Sequence, residues 1–252
     1  MLQKSLMPTP QIRLAVVGQL PPDFDPKDLL RWQSSVFQII PSIESFQLND
    51  DAQGEDWEYT DQQFEEYLPK HDSSFLVLLV NVKLENNWYV RRLSRNRVVF
   101  SFHELDQILR FHSIPLKNVA LRVLYAASLV YRRYENRIPP AAERTNYAHD
   151  ETRGCLFDMN ASKLDIIYSC HAPRLCEYCV SQLKIARVSN EVIDSVQEEI
   201  RRIQKPLFNR MLDFVKSHPL WSILISLSTA LVLGIAASIV AAFIYDALKT
   251  AT

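Results

Sequence analysis

The stretch from Leu220 to Tyr245 limits the possible folds of this chain more than any other feature, because it contains no charged side chain. As a helix it would be about 39 Å long, against about 30 Å for the hydrocarbon core of a bilayer. Trp221 and Tyr245 stand near its two ends, where amphipathic aromatic side chains favour the membrane interface. The sequence therefore predicts a single C-terminal transmembrane helix over residues 219–247, followed by a short tail at residues 248–252.

Small residues recur at every fourth position of this predicted helix. They are Ser226, Ala230, Gly234, Ser238 and Ala242. Such a strip lets the backbone of a second helix approach closely, and this packing drives helix association in lipid. The strip predicts a homo-oligomer formed through the membrane helix.

Basic residues are concentrated on the N-terminal side of the span. They are Arg201, Arg202, Lys205, Arg210 and Lys216, whereas Lys249 alone follows it. Because basic flanks stay in the cytoplasm, the part before the span is expected to be cytoplasmic. The expected protein is tail-anchored and single-pass in the cell (inner) membrane, with the lipid bilayer as a partner.

The body before the span, residues 1–188, has the pattern of a mixed α/β or α+β domain. Strands are predicted at 12–18, 74–84 and 97–102, and helices from 27 to about 40 and over 117–134. The net charge of −1 gives no reason to expect specific nucleic-acid binding. No GxGxxG or GxxxxGK[ST] motif occurs, which argues against Rossmann and P-loop nucleotide chemistry.

A basic cluster follows Trp88 and Tyr89 in the body. It comprises Arg91, Arg92, Arg95 and Arg97. The cluster fits either an anion-binding surface or an edge strand whose charges oppose aggregation.

All four cysteines, Cys155, Cys170, Cys176 and Cys179, lie in a segment that also holds His149 and His171. A Cys-x-x-Cys pair such as Cys176–Cys179 can bind Zn²⁺ through two thiolates, with further ligands from another segment. A cytoplasmic location disfavours disulfides. The cluster at residues 149–179 therefore predicts a structural zinc site, with buried free thiols or a redox pair as alternatives.

The order of these residues resembles the end of the archaemetzincin zinc signature. That signature ends in His-Cys, four residues, Cys-x-Met and a later Cys-x-x-Cys; here His149-Asp150, Cys155-Leu156-Phe157 and Cys176–Cys179 occupy those places. Together with the strand and helix order, the resemblance covers residues 74–185. It implies a metzincin-like fold and a structural zinc on Cys155, Cys176 and Cys179. Asp150, Cys170 or His171 would supply the fourth ligand.

In the same alignment, this chain lacks most of the residues that bind the catalytic zinc in that family. His149 falls on its third catalytic histidine, but Pro139 and Pro140 replace the first His-Glu, and Glu143 replaces the second histidine. A catalytic zinc needs three protein ligands and a general base. The chain is therefore expected not to be a peptidase of this type.

Residues 189–218 form the predicted amphipathic connector helix between the body and the span. Apolar residues recur there at steps of three and four: Ile193, Val196, Ile200, Ile203, Leu207 and Phe214. This spacing fits a short coiled coil or a helix that packs on its own domain.

These features together predict a membrane-tethered, non-catalytic, metzincin-like binding or sensing protein with a structural zinc. By analogy of architecture alone, an oligomerising effector or regulator in a prokaryotic antiviral or conflict system is the broader expectation. Two alternatives remain open. One is a membrane-anchored zinc hydrolase with an atypical active site, and the other is an oligomeric membrane pore.

Overall fold

The computed structural model describes residues 9–48, 50–68 and 74–250, with the backbone alone for 243–250. The chain divides into two compact units, residues 1–205 and 206–252. The predicted connector 189–218 is thus divided between the two units at Pro206.

The first unit is built on a mixed sheet with strand order β2-β1-β3-β5-β4. Neighbouring strands are parallel except β4, which lies antiparallel to β5 at one edge. The strands are β1 (Gln11–Val17), β2 (Gln38–Phe46), β3 (Leu76–Val80), β4 (Val90–Leu93) and β5 (Arg97–Ser101). The expected strands at 12–18 and 97–102 are confirmed to within one residue at each end, whereas the strand expected at 74–84 is shorter and covers only Leu76–Val80.

The sheet is covered on both faces. Every residue of the central strand β3, Leu-Val-Leu-Leu-Val, is buried, as its continuous apolar sequence predicts for a strand covered on both sides. Val77 and Leu79 belong to the larger core cluster, whereas Leu76 and Leu78 belong to a smaller cluster with Phe64.

The described part of the first unit also contains seven α-helices. They are α1 (Lys27–Leu30), α2 (Asp61–Tyr67), α3 (Leu105–Phe111), α4 (Leu116–Arg133), α5 (Ile166–His171), α6 (Glu177–Ile185) and α7 (Asn190–Glu199). The long helix α4 lies within one residue of the helix predicted over 117–134, and its residues Val119, Val123 and Val130 are buried. It supplies one wall of the core against the sheet.

The helix expected from Lys27 to about Ile40 is a wrong prediction for most of its length. It ends at Leu30, and the later residues of the segment enter strand β2. Between Ile12 and Leu14 of β1, the partner residue on β2 advances from Ile39 to Ile43, so β2 bulges around Pro41. Proline is tolerated in such an edge bulge, where it need not donate a ladder hydrogen bond.

The first half of the predicted connector packs on the body. Ile193 and Val196 of α7 are buried, as are Ile200 and Ile203 of the 3₁₀ turn that follows it. A polar chain adds to this packing, since Trp32 Nε1 donates to Tyr125 Oη (2.9 Å) and Tyr125 Oη donates to Glu199 (2.5 Å). The alternative of a helix packed on its own domain is therefore the observed one up to residue 205.

The second unit consists of α8 (Leu207–Ser217) and α9 (Pro219–Thr250). One helix is long and apolar enough to span a membrane, over Pro219–Ala242, and none of that stretch is buried. Residues 248–250, expected to begin a tail, continue the helix, and 251–252 lie outside the described residues. The strip Ser226, Ala230, Gly234, Ser238 and Ala242 lies wholly on α9.

Candidate metal centre

Four side chains from two separate segments converge in the first unit. They are His149, Cys155, Cys176 and Cys179, and their possible ligand atoms all lie within 4.8 Å of one another. His149 Nε2 is 3.1 Å from Cys179 Sγ and 3.5 Å from Cys176 Sγ, and the Sγ atoms of Cys155 and Cys179 are 3.7 Å apart. The group is therefore compact enough for all four residues to contact one ion.

Helix α6 positions two of the four ligands. Cys176 is its N-cap, and the backbone N–H of Cys179 donates to Cys176 Sγ at 3.5 Å. The first turn of a helix presents unpaired N–H groups and the positive end of the helix dipole, both of which stabilise thiolates. The Cys-x-x-Cys spacing thus brings two sulfur ligands to one helix end.

The loop of residues 149–158 positions the other two ligands. His149 N–H donates to Phe157 O (3.0 Å), and Leu156 N–H donates to Arg174 O (2.8 Å), so two short backbone bridges hold the loop. Gly154 makes the tight turn before Cys155 with φ +85°, and a Cβ there would approach Ala172 O at 3.3 Å. The turn thus favours glycine at this position.

Arg122 of α4 ties this loop to the core. Its side chain is almost completely buried and donates to the carbonyl oxygens of Cys155 (3.0 Å) and Asp158 (3.4 Å). The Asp158 carboxylate, also buried, accepts from Arg153 and from the backbone N–H of Asn160, both at 3.1 Å. The backbone that carries Cys155 is therefore held from both sides.

The sulfur atoms interact before any metal is considered. The Cys155 and Cys179 sulfurs share a hydrogen bond at 3.7 Å, and this bond lowers the pKa of Cys155 to about 5. The same shared proton and burial raise the pKa of Cys179. A divalent metal would replace that proton and allow both sulfurs to bind as thiolates.

The residues fit zinc in type and spacing. Zinc in structural sites takes four nitrogen or sulfur ligands in a tetrahedron, with Zn–S about 2.3 Å. Two sulfurs of such a tetrahedron are about 3.8 Å apart, which agrees with the 3.7 Å between Cys155 and Cys179. His149 presents Nε2 to the sulfurs, and its ring contacts Tyr178 edge to face. The set can hold a metal with three sulfurs and one nitrogen.

The structure brings together Cys155, Cys176 and Cys179, as predicted, but it differs from the prediction in the fourth member. Asp150 is exposed and pairs with Arg153 at 2.8 Å. Cys170 is buried in α5, where burial raises its pKa to about 12. Neither of these residues, nor His171, belongs to the compact group.

His149 takes the fourth position instead. Sequence reasoning assigned it to the lost catalytic set and so missed it as a partner of the cysteines. The position of His149, a short loop before Cys155, could have indicated this role, since a histidine commonly completes a three-cysteine zinc site.

The positions aligned with the family's catalytic motif form no second cluster. Pro139 O accepts a hydrogen bond from Arg92, and the Glu143 carboxylate is bound by Arg137 at 2.6 and 2.8 Å. Hydrogen bonding to Arg137 lowers the pKa of Glu143, which keeps it ionised. Among the described residues, the four-residue group is the one His/Cys/Asp/Glu cluster with metal-ligand spacing.

No protein-family model, curated protein or solved structure matches this chain.

Proposed function

We propose that this chain is a membrane-tethered, non-catalytic binding or sensing protein with a metzincin-like body stapled by one zinc ion. The observation that carries the proposal is the membership of His149 in a group with three cysteines. Four protein ligands complete a tetrahedral zinc, so no position remains for a water molecule to be activated. The one histidine left from the catalytic signature is thus used for architecture.

A zinc hydrolase with an atypical site has less support. It would need a second metal or an open coordination position, together with a general base. Helix α4 contains no histidine, and Glu143 is engaged by Arg137. A binding role requires neither feature.

Helix α9 supports the membrane part of the proposal. Its span Pro219–Ala242 is apolar on all sides, and basic residues precede it, which favours a cytoplasmic body. The hydroxyls of Ser228, Thr229 and Ser238 donate to carbonyl oxygens four residues earlier in the same helix. Because these polar groups are satisfied within the helix, α9 suits an anchor that associates with copies of itself better than the lining of a pore.

This architecture also fits the broader proposal of a regulator or effector in a prokaryotic conflict system. Ligand or partner recognition by the body would change the association of the membrane helices. That step rests on analogy between architectures.

The ligand set gives the most direct test. We expect purified full-length protein to contain one zinc per chain, with an X-ray absorption spectrum of three sulfurs and one nitrogen. His149→Cys should keep the metal, because a four-cysteine site is equally suited to zinc, whereas His149→Ala should weaken zinc binding about tenfold or more. His218→Ala, a histidine outside the body, is the matched control.

Two results would contradict the proposal. One is a second tightly bound zinc or a water ligand in the absorption spectrum. The other is peptide cleavage by the wild type that His149→Ala abolishes.

A further inference from the structure

A cavity of about 380 Å³ lies between strand β4, helix α4 and the loops at 138–148 and 156–159. This volume is within the range of small-molecule sites, which are mainly apolar with a few polar groups. Val123, Ala126 and Val130 of α4 supply apolar lining, and Tyr89, Tyr147 and Phe157 supply aromatic lining. The cavity can therefore enclose a ligand with an apolar body.

Arg122 brings a buried positive charge to this cavity. Its side chain is only 2% exposed, and its hydrogen bonds go to the neutral acceptors Tyr89 Oη, Cys155 O and Asp158 O. Its Nε has no hydrogen-bond partner among the described residues. A buried guanidinium without a bound carboxylate carries a large desolvation cost, which a bound anion would offset.

Among the charged residues that line the cavity, positive side chains outnumber negative ones. Arg92 donates to Pro139 O and lies 5.0 Å from the Tyr147 ring centroid, and no carboxylate of the described residues is in ion-pair contact with it. Arg144 is exposed.

The remaining charges of the lining already have partners of opposite sign. Glu143 is engaged by Arg137, Asp158 by Arg153, and Arg91 by Asp61. The unmatched charges are therefore guanidinium groups.

We propose that this cavity binds a small organic anion, with an aromatic or branched apolar body and one carboxylate or phosphate group. The anionic group pairs with Arg122, supported by Arg92 and Arg144, and the body occupies the apolar lining against α4. The inference rests on the proposed binding role and specifies its ligand class. Leu156 and Phe157 follow Cys155 directly and line the cavity, so the zinc ion would fix one of its walls.

Fluorine NMR on full-length, zinc-loaded protein in nanodiscs tests the proposal. The probe is para-trifluoromethyl-phenylacetate, compared with its neutral amide and with a phosphate monoester that carries the same aryl group. We expect at least one of the two anions to bind with a Kd of about 1 mM or tighter, and the amide about tenfold more weakly or less. Empty nanodiscs give the correction for partition of each probe into lipid.

Variants of the cavity locate the binding. Ala126→Trp fills the apolar lining and should abolish binding, and Arg122→Gln removes the buried charge and should weaken it about tenfold or more. If Arg122→Gln fails to fold, Arg144→Ala, which changes an exposed side chain, should still weaken anion binding. Arg110→Ala, an exposed arginine of α3 outside the cavity, is the control and should bind as the wild type does.

The outcomes separate this inference from the proposed function. Equal binding of acid and amide, binding of neither anion, or unchanged binding in Ala126→Trp would overturn the anion site. Zinc content is measured on each sample. Zinc retained at one per chain without anion binding overturns the cavity inference alone, whereas open coordination in the zinc spectrum overturns the proposed function.

Discussion

Cys170 and Cys176 are close in sequence but lie in different chemical environments. Cys170 lies inside α5 and is 2% exposed, and burial raises the pKa of its thiol. Cys176 caps α6, and its sulfur lies in the compact group with His149, Cys155 and Cys179. A buried cysteine such as Cys170 acts as a small apolar side chain, whereas Cys176 is placed to bind a metal.

This difference gives a matched pair of substitutions. Cys170→Ala should keep one zinc per chain and lower the free energy of unfolding by about 1 kcal/mol, through loss of a buried sulfur. Cys176→Ala should bind zinc much more weakly, because it removes one of four ligands. Zinc-to-protein ratios after competition with a chelator measure both effects. A folded Cys170→Ala protein without zinc would show that the ligand set is wrong.

The sequence predicted the three sulfur ligands of the metal centre but not its nitrogen ligand. Cys176 and Cys179 share one helix end because their spacing requires it, and Cys155 follows from the same signature. The fourth ligand was expected to be Asp150, Cys170 or His171, and its identity depended on contacts that spacing does not encode. Asp150 pairs with Arg153, Cys170 is drawn into the core with α5, and His149 is left facing the sulfurs.

Glu199 makes a contribution to the stability of the fold that depends on pH. Burial opposes its ionisation, but hydrogen bonds from Ser34, Tyr125 and Ser35 outweigh that effect and hold the pKa of Glu199 below its ordinary value. Its contribution to stability is therefore present above the unfolded pKa of about 4.3 and is lost as the pH falls through the lower folded pKa.

Glu199→Gln should lower the free energy of unfolding by about 1 kcal/mol at pH 7, since a charged acceptor is replaced by a neutral one. The difference from wild type should shrink as the pH falls below about 4. Denaturant melts of both proteins across this pH range measure it. Glu198→Gln, at an exposed neighbouring position, is the matched control. A difference that grew toward low pH would contradict the assignment.

At the scale of whole elements, sequence periodicity predicted the buried interior better than the periphery. Strand β3 was located correctly because its continuous apolar run reflects burial on both faces. Helix α4 was located correctly because its periodic apolar residues reflect burial of one side. The segment 31–40 was misread because Val36, Phe37 and Ile40 satisfy helical spacing as well as an extended strand. Pairing with β1, a long-range contact, decided in favour of the strand.

Helix α7 also shows that periodicity does not identify the packing partner. Its apolar spacing fitted either a coiled coil or a helix that packs on its own domain. Ile193, Val196, Ile200 and Ile203 are all buried, and each contributes about 2 kcal/mol on burial. Their sum is comparable to the whole stability of a typical domain, about 5–15 kcal/mol. The body therefore extends to Lys205 rather than ending at residue 188.

Truncations test this boundary. Residues 1–205 should purify as a monomeric domain with a cooperative melt and one zinc per chain. Residues 1–188 should aggregate or melt without cooperativity, because the core beneath α7 is exposed to water. Residues 1–218 serve as the control and should melt as 1–205 does. If 1–188 were as stable as 1–205, the packing of α7 would be unimportant.

At the scale of the whole molecule, the second unit buries none of its side chains over residues 206–242, the part whose side chains are described. Along Pro219–Ala242 its large apolar side chains are exposed, which is unfavourable in water and ordinary in lipid. Within lipid, apolar side chains no longer drive association, so any contact between copies depends on close packing and hydrogen bonds. Ser238 already donates to Gly234 O in its own helix, which leaves close packing as the main contribution of the strip.

Gly234 is the position that tests this contribution. A Cβ added there meets no atom of the described residues within 4 Å, so none of their contacts requires glycine at that point. Gly234→Leu should preserve the helix and weaken self-association in liposomes about tenfold, by holding a second backbone away. Förster transfer between donor- and acceptor-labelled copies, measured at falling protein-to-lipid ratios, reports the change.

Ala236→Leu is the matched control for this experiment. It adds a leucine side chain about 200° around the same helix, away from the strip. Because its hydrophobic gain in the span is similar, any effect of altered insertion should appear in both variants, and only Gly234→Leu should lose energy transfer. Equal transfer in wild type and Gly234→Leu would mean that the strip makes no contact between copies. Equal loss in both variants would place the contact elsewhere on α9.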